Sequence, residues 1–164
     1  MKKIILVLLV TIITLTGCEL NNNPNSKVEE LLGKYQMLDD SINVTSYPIS
    51  NSTNLDNDTE EEYRKIIEKQ YKNLSYEIKD EETDGDTATV TVEIEVLDYK
   101  KILEKYTRND YSEEEYNDKV IKDLQDIKER TVYTIEFSLT KDKKGEWSVD
   151  PLTNDIENKL LGIY

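Results

Sequence analysis

The chain has 164 residues, of which 35 are acidic and 21 basic, so its formal net charge is −14, and it contains one cysteine and no histidine. The absence of histidine excludes serine–histidine and cysteine–histidine catalysis and disfavours zinc and copper sites, which use histidine most often. The surplus of acid disfavours nucleic-acid binding, because affinity for phosphates comes from clustered Lys and Arg. We therefore expect no cofactor and no nucleic-acid partner.

The N-terminal segment has the pattern of an export signal. Met1-Lys2-Lys3 is cationic, an apolar run from Ile4 to Leu15 follows, and Leu15-Thr16-Gly17-Cys18 closes the segment. The apolar run is too short to span a bilayer, which needs about 20 apolar residues, and the order of its parts matches a secretory signal. Because the cysteine directly follows Gly17, the segment resembles the signal of bacterial lipoproteins.

That resemblance implies a location for the mature chain. In the lipoprotein family, a diacylglycerol group is linked to the cysteine and the signal is cleaved before it. For this chain it implies a signal peptide over residues 1–17, lipidation of Cys18, and an anchor on the extracytoplasmic face of the cell membrane. An acylated Cys18 leaves no thiol, so the fold must be held without a disulfide.

The first part of the mature chain is predicted to be a tether and one helix. Residues 18–25 form the tether, since Asn and Pro disfavour regular structure there, and a single domain occupies 26–164. A capping box at Ser26–Glu29 predicts the start of the helix. Its apolar face then recurs at helical spacing, at Val28, Leu31, Leu32, Tyr35, Leu38 and Ile42. Residues 43–58 are rich in Asn, Ser, Thr and Asp and are predicted to be a loop.

A second helix and a β-hairpin follow. The second helix is predicted to start with Thr59-Glu60-Glu61-Glu62 and to extend through Tyr71. From Leu74 the apolar period changes to two, which indicates a strand, and a polar turn is predicted over 80–86. Residues 87–96 alternate Thr or Glu with Ala, Val or Ile, so this strand is predicted to be half-buried and to pair with the first.

The remainder is predicted as a helical insert, a second hairpin and a last helix. The insert runs from Asp98 to about Arg130, and Ser112–Glu115 forms another capping box within it. Residues 133–139 alternate as a strand, and Trp147 and Val149 form a short return strand. Thr153 is predicted to cap the last helix.

The order of elements predicts an α+β fold, with N-terminal helices packed on a curved antiparallel sheet and a helical insert between two hairpins. In this order of elements, with Asp84-Gly85-Asp86-Thr87-Ala88-Thr89-Val90 in the first hairpin and Gly145-Glu146-Trp147 in the last, the chain is similar to small exported lipoproteins of the nuclear transport factor 2-like, or cystatin-like, superfamily. The resemblance covers residues 26–152 and implies a cone-shaped domain that serves mostly as a binding scaffold. No catalytic motif of the family's enzymes matches this chain.

One acidic segment has a spacing found in calcium loops. Asp80, Glu82 and Asp84 lie at alternate positions and Gly85 follows, but Thr91 stands where such a loop needs a glutamate. A solvated hairpin turn explains the same residues, and we therefore predict no metal site.

Eleven tyrosines against one phenylalanine point to a wet pocket or an interface. Six of the tyrosines lie on predicted apolar faces and are the candidate ligand-binding residues: Tyr35, Tyr63, Tyr76, Tyr99, Tyr116 and Tyr133. Packing of these side chains in the core is the alternative. The pocket hypothesis requires that they converge on one concavity.

Three functional hypotheses follow. The first is a lipid-anchored, non-catalytic protein whose cone-like domain binds a small ligand, a peptide or an envelope partner. The second is an interaction protein without a pocket, of the immunity or inhibitor type, which uses the loop 43–58 and the insert 98–130 as its contact surface. The third is a pocket enzyme of the isomerase or dehydratase kind, which requires a buried carboxylate beside a tyrosine hydroxyl.

Overall fold

The computed structural model describes residues 22–42 and 55–164. In these ranges the chain forms α1 (Pro24–Met37), α2 (Asn57–Lys72), β1 (Ser75–Asp84), β2 (Thr87–Leu97), α3 (Tyr99–Lys105), α4 (Glu113–Asp126), β3 (Arg130–Lys141), β4 (Trp147–Val149) and α5 (Asn154–Leu160), with a short 3-10 turn at Arg108–Asp110. The predicted lipidation site Cys18, the signal peptide, half of the tether and most of the loop 43–58 lie outside the described residues. Among the described helices, none combines the length and apolarity needed to cross a membrane.

The fold is α+β, as the sequence predicts. The four strands form one antiparallel sheet in the order β1-β2-β3-β4, with α1 and α2 packed against one face and α3 and α4 inserted between β2 and β3. The other face carries exposed Thr and Glu side chains, since successive residues of a strand point to opposite faces. The inward residues of β2 and β3 are the centre of the core: Val90, Val92, Ile94, Val96, Ile135, Phe137 and Leu139.

Two helix starts differ from the sequence predictions. α1 begins at Pro24, and Asn23 caps it by accepting a hydrogen bond from the backbone of Ser26, so the last two residues of the predicted tether lie in its first turn. α2 begins at Asn57 and is capped by Asp56, which accepts from the backbone N–H groups of Asp58 and Thr59. In both cases an Asn or Asp three residues upstream of the predicted Ser or Thr caps the helix instead, since all four side chains suit this position.

The end of α1 also differs from the prediction. The helix stops at Met37 because Leu38 takes a left-handed conformation, with φ of 54°. Leu38 and Ile42 still pack against the core, but from the segment that follows the helix. The apolar spacing therefore predicted the buried residues and overestimated the length of the helix.

The first hairpin is longer than predicted. β1 extends to Asp84, which pairs with Thr87, so that the loop is only Gly85-Asp86, and Gly85 has a φ of +61°. A β-bulge between Ile78 and Asp80 shifts the register. The acidic residues of the calcium-loop hypothesis are therefore ladder residues of an exposed strand. Within the described ranges, no three or more His, Cys, Asp or Glu residues are placed to hold a metal ion.

Candidate functional site

Three of the six candidate tyrosines lie where the insert packs against α2. Tyr63 and Tyr99 are fully buried; the hydroxyl of Tyr63 donates to Asn117 Oδ1 at 3.0 Å, and that of Tyr99 donates to the Ile66 carbonyl at 2.9 Å. Burial raises the pKa of both phenols. Tyr116 is also buried, with the Arg108 guanidinium 5.5 Å from its ring centre. The hydroxyls of Tyr63 and Tyr99 are satisfied inside the core, and the three buried side chains pack the insert against α2.

The other three candidates lie elsewhere. Tyr35 of α1 packs edge-on against Tyr71 of α2, with ring centres 4.9 Å apart. Tyr76 is half-buried on β1, and Tyr133 is half-buried on β3, where its hydroxyl donates to the Tyr164 carbonyl at 3.2 Å. The six side chains are therefore spread over separate parts of the domain, and none of them lines the three surface cavities described below.

The best-formed of these cavities lies beside β3, beyond the end of β4. β4 covers only the last three residues of β3, from Leu139 to Lys141, although β3 has 12 residues. The chain then turns away at Pro151 and returns as α5, which leaves a groove of about 450 Å³ along the uncovered length of β3. We call this the edge groove. It is lined by Thr134, Ile135, Glu136, Phe137, Ser138, Val149, Asp150, Pro151, Leu152, Thr153, Ile156 and Lys159.

The backbone of β3 faces the edge groove at alternate residues. Lys141 N–H donates to the Asp86 carbonyl, and Asp98 N–H donates to the Glu129 carbonyl, at the two ends of the β2–β3 ladder. In an antiparallel pair such bonds recur at every second residue, so the odd-numbered residues of β3 bond to β2 and the even-numbered ones point outward. Val132, Thr134, Glu136 and Ser138 thus present their N–H and C=O groups to the groove side.

Two groups from the C-terminal segment occupy part of this edge. Asp150 N–H donates to the Ser138 carbonyl at 2.9 Å, and Lys159 Nζ donates to the Thr134 carbonyl at 3.1 Å. Lys159 Nζ also lies 4.7 Å from the ring centre of Tyr164. In the described part of the chain, no hydrogen bond joins the outward N–H or C=O of Glu136 to another group. The edge is therefore partly protected and partly open.

Exposed apolar side chains continue from one end of the edge groove. Val132 on β3 is 54% exposed and Tyr164 is 45% exposed. Tyr164 packs edge-on against Tyr133, with 5.9 Å between ring centres. This aromatic pair lies at the same end of β3 as Val132. The sequence carried one signal for this site, which is the difference in length between the alternating run 133–139 and the return strand 147–149. We did not use it to select candidate residues.

A second cavity, of about 610 Å³, lies between α3 and the segment that leads into β3. Two of its three lining lysines are paired: Lys101 contacts Glu129, and Lys105 donates to Asp123 Oδ2 at 2.5 Å. A third, of about 300 Å³, adjoins it, and there Lys69 Nζ donates to the Gln125 carbonyl at 2.6 Å, at the end of α4. Both are more open depressions in which ion pairs and helix-end contacts satisfy the polar groups.

One tyrosine–carboxylate pair bears on the enzyme hypothesis. Tyr106 donates to Asp123 Oδ2 at 2.7 Å. The hydrogen bond from Lys105, followed by that from Tyr106, lowers the pKa of Asp123, so its carboxyl group is ionised and paired at neutral pH. A general acid requires the opposite shift, and a lowered pKa also weakens a general base. The pair has the geometry of a surface ion-pair network.

Comparison with known proteins gave no relatives: no protein-family model, no curated protein sequence and no solved structure matches the chain.

Proposed function

We propose that this protein is a lipid-anchored, non-catalytic binding protein of the cell envelope, which holds a polypeptide partner at the edge groove. The N-terminal pattern ending at Cys18 supports the anchor and the extracytoplasmic location. The observation that carries the binding function is the uncovered length of β3, where backbone groups face a groove of about 450 Å³. Backbone hydrogen bonding at a free strand edge is a recurring mode of peptide recognition.

Two further observations favour a binding function over the isomerase or dehydratase alternative. Each carboxylate whose pKa departs from its ordinary value in the described ranges has it lowered, chiefly by hydrogen bonds from lysine, arginine, serine or backbone N–H groups. The fully buried Tyr63 and Tyr99 donate to core partners. A pocket enzyme needs a carboxyl group whose raised pKa keeps a transferable proton, or an activated base in a dry site.

The immunity or inhibitor type of interaction remains the second hypothesis, and it differs in the surface it uses. It assigns the contact to the insert, whose exposed tip carries Tyr111 at 36% exposure with Lys119 Nζ 5.3 Å from its ring centre. The edge groove is favoured because its backbone donors and acceptors are directed outward, whereas the side chains of the insert tip are largely paired with one another.

The anchor is tested with Cys18→Ser in the native host. We expect the wild-type chain to be recovered with membranes and to show a diacylglycerol adduct on Cys18 by intact-mass spectrometry. The variant should lose the adduct and accumulate unprocessed. Processing of Cys18→Ser at the same bond, with full retention in the membrane fraction, would contradict the proposed anchor.

The binding surface is tested by photo-crosslinking in intact cells. A photoreactive residue replaces Val132, which adjoins the edge groove on β3, Tyr111 at the insert tip, or Thr83 in the exposed first hairpin as the control. We expect a discrete cross-linked product from position 132 alone. A product from position 111 alone would favour the second hypothesis, and equal products from positions 132 and 83 would contradict a specific surface at the groove.

A further inference from the structure

We infer that the edge groove takes its partner as an added β-strand, an extended basic segment that pairs with residues 132–136 of β3 and displaces Lys159 from the Thr134 carbonyl. The inference rests on the proposed binding function and gives it a mode, a partner chemistry and a device that regulates access. It concerns only backbone and side-chain contacts of the described residues.

The first step is the arrangement of donors and acceptors. Outward-facing N–H and C=O groups recur at every second residue along Val132, Thr134 and Glu136, which is the repeat that an antiparallel or parallel strand requires. From Val132 to Glu136, the part that β4 and Asp150 leave free, the edge measures about 14 Å at about 3.4 Å per residue. A segment of about five residues, the length of one ordinary strand, therefore matches it.

The second step is that the edge is weakly protected. Proteins usually blunt a free edge with charged residues, proline, bulges or a covering element. Here β4 and Asp150 protect the end near Ser138, and the central protection is the single ammonium of Lys159 on Thr134. At the other end Val132 is apolar and 54% exposed. An edge of this kind accepts a strand once one lysine side chain moves.

The third step selects a single strand over a second copy of the chain. The edge groove has a far wall, formed by Pro151, Leu152 and Ile156, facing β3. A lone extended segment requires less clearance between the wall and β3 than the sheet of a second copy, which carries its packed helices with it. Two copies would also bring together two chains of formal charge −14 each, which repel one another.

The fourth step is the sign of the partner's charge. Glu136 and Asp150 line the groove, and Lys159 is its one lining cation among the described residues. The Lys or Arg side chains of a basic segment can pair with the carboxylates of Glu136 and Asp150, and the negative field of the whole domain attracts such a segment. The partner is therefore an extended segment with alternating apolar and basic residues.

Lys159 distinguishes strand addition from recognition by side chains. A partner N–H that pairs with the Thr134 carbonyl competes with Lys159 for the same acceptor. Removing the ammonium therefore strengthens strand addition, since the edge no longer has to be vacated. If Lys159 instead bound the partner directly, its removal would weaken binding.

The test fuses a strand to the full chain, in detergent micelles, after Tyr164. That residue's carbonyl lies 3.2 Å from the Tyr133 hydroxyl, so the fusion point is beside β3. A flexible Gly/Ser linker of about eight residues spans roughly 16 Å and gives an effective concentration in the millimolar range. The probe is Lys-Val-Thr-Val-Lys, and the matched control is Lys-Pro-Thr-Pro-Lys, which lacks two backbone donors. Hydrogen exchange is followed in proteolytic fragments covering 130–139.

We expect the probe, and not the proline control, to slow exchange of the outward amides about tenfold or more. Lys159→Met should increase this protection severalfold. Glu136→Pro should abolish it while preserving the fold, because proline is tolerated where the N–H points away from the ladder. Glu136→Ala keeps the N–H and loses only the carboxylate, so it should reduce the protection only in part. Circular dichroism verifies that both Glu136 variants are folded.

Three results would overturn the inference. They are equal protection by the probe and the proline control, no protection in either the wild type or Lys159→Met, and a loss of protection in Lys159→Met. A groove-specific cross-link in cells together with any of these results would leave the binding function in place and reject only strand addition. Protection by the probe without a cross-link at position 132 would leave strand addition to β3 in place and reject the proposed binding function in cells.

Discussion

At the scale of single residues, a buried polar group joins three parts of the chain. Gln70 of α2 is fully buried, and its amide donates to the Leu97 carbonyl at 2.8 Å and to the Leu161 carbonyl at 2.7 Å. Its side-chain oxygen accepts from Leu97 N–H at 2.9 Å. The amide therefore ties the end of β2 and the C-terminal segment to α2. A buried amide that is fully hydrogen-bonded costs little, but losing one partner costs about 1–3 kcal/mol.

Gly162 lies against this amide and leads to the first prediction. Its φ is +69°, and a Cβ atom would stand 2.1 Å from the Leu97 oxygen and 2.4 Å from Gln70 Nε2. We expect Gly162→Ala to lower the free energy of unfolding by about 3 kcal/mol or more, because strain in the left-handed region adds to the displacement of a buried hydrogen bond. Urea denaturation followed by circular dichroism measures the change.

Gly33 is the matched control for this prediction. It lies inside α1, and a Cβ added there would meet nothing within 4 Å. Gly33→Ala should therefore raise stability by about 1 kcal/mol, since alanine is the better helix former. Equal effects of the two substitutions would show that the C-terminal segment does not pack against Gln70 as described.

At the scale of elements, the insert depends on how its second helix begins. Ser112 caps α4: its hydroxyl accepts from Glu115 N–H at 3.3 Å, while the Glu115 carboxylate accepts from Ser112 N–H at 3.3 Å. The sequence predicted this capping box, and the structure confirms it. α4 in turn buries Tyr116, Val120 and Leu124, so the cap positions an apolar face that closes over α2.

The second prediction concerns that cap. Ser112→Ala should reduce the free energy of unfolding by about 1 kcal/mol, because the Glu115 N–H of the first turn loses the hydroxyl that accepts from it. Asp118→Asn, an exposed change in the middle of the same helix, should stay within about 0.5 kcal/mol of the wild type. Chemical denaturation of the three proteins gives the comparison, and a neutral Ser112→Ala would mean that packing alone fixes the helix start.

At the scale of the whole molecule, buried tyrosines determine the response to high pH. Burial raises the pKa of Tyr63, Tyr71 and Tyr99, whose ordinary value is about 10, because the phenolate would lie in the core. A raised folded-state pKa contributes stability that is fully present below the unfolded pKa. That stability is lost as the pH rises above about 10 towards the folded-state pKa. The domain should therefore unfold with alkali.

The third prediction is a two-stage titration of tyrosinate absorbance. Tyr63, Tyr71 and Tyr99 should ionise only as the chain unfolds, in a stage that follows the ordinary ionisation of tyrosine near pH 10. Tyr99→Phe should shift the alkaline unfolding midpoint upward, because one fewer buried phenol must ionise. Ionisation of all 11 tyrosines in one step, with the circular dichroism of the folded state retained, would contradict the burial of these side chains.

The candidate tyrosines show where residue patterns stop being informative. Periodicity placed Tyr35, Tyr63, Tyr99 and Tyr116 correctly on buried faces, since the spacing of apolar residues decides which side of a helix is covered. Periodicity does not determine whether those faces enclose a cavity or pack directly against one another. The hydroxyl partners, Asn117 for Tyr63 and the Ile66 carbonyl for Tyr99, come from distant parts of the chain.

The sequence by itself determined the α+β class, the alternation of β2 and β3, the insert between them and the pattern of an export signal, because each depends on residues near one another in the chain. Only the tertiary structure decided that β4 stops short, that α5 returns beside β3, and that Lys159 reaches the Thr134 carbonyl. The edge groove is the result of these long-range placements. Strand pairing and the docking of the C-terminal segment bring together groups up to 91 residues apart, as in Gln70 and Leu161, and a local pattern does not encode that distance.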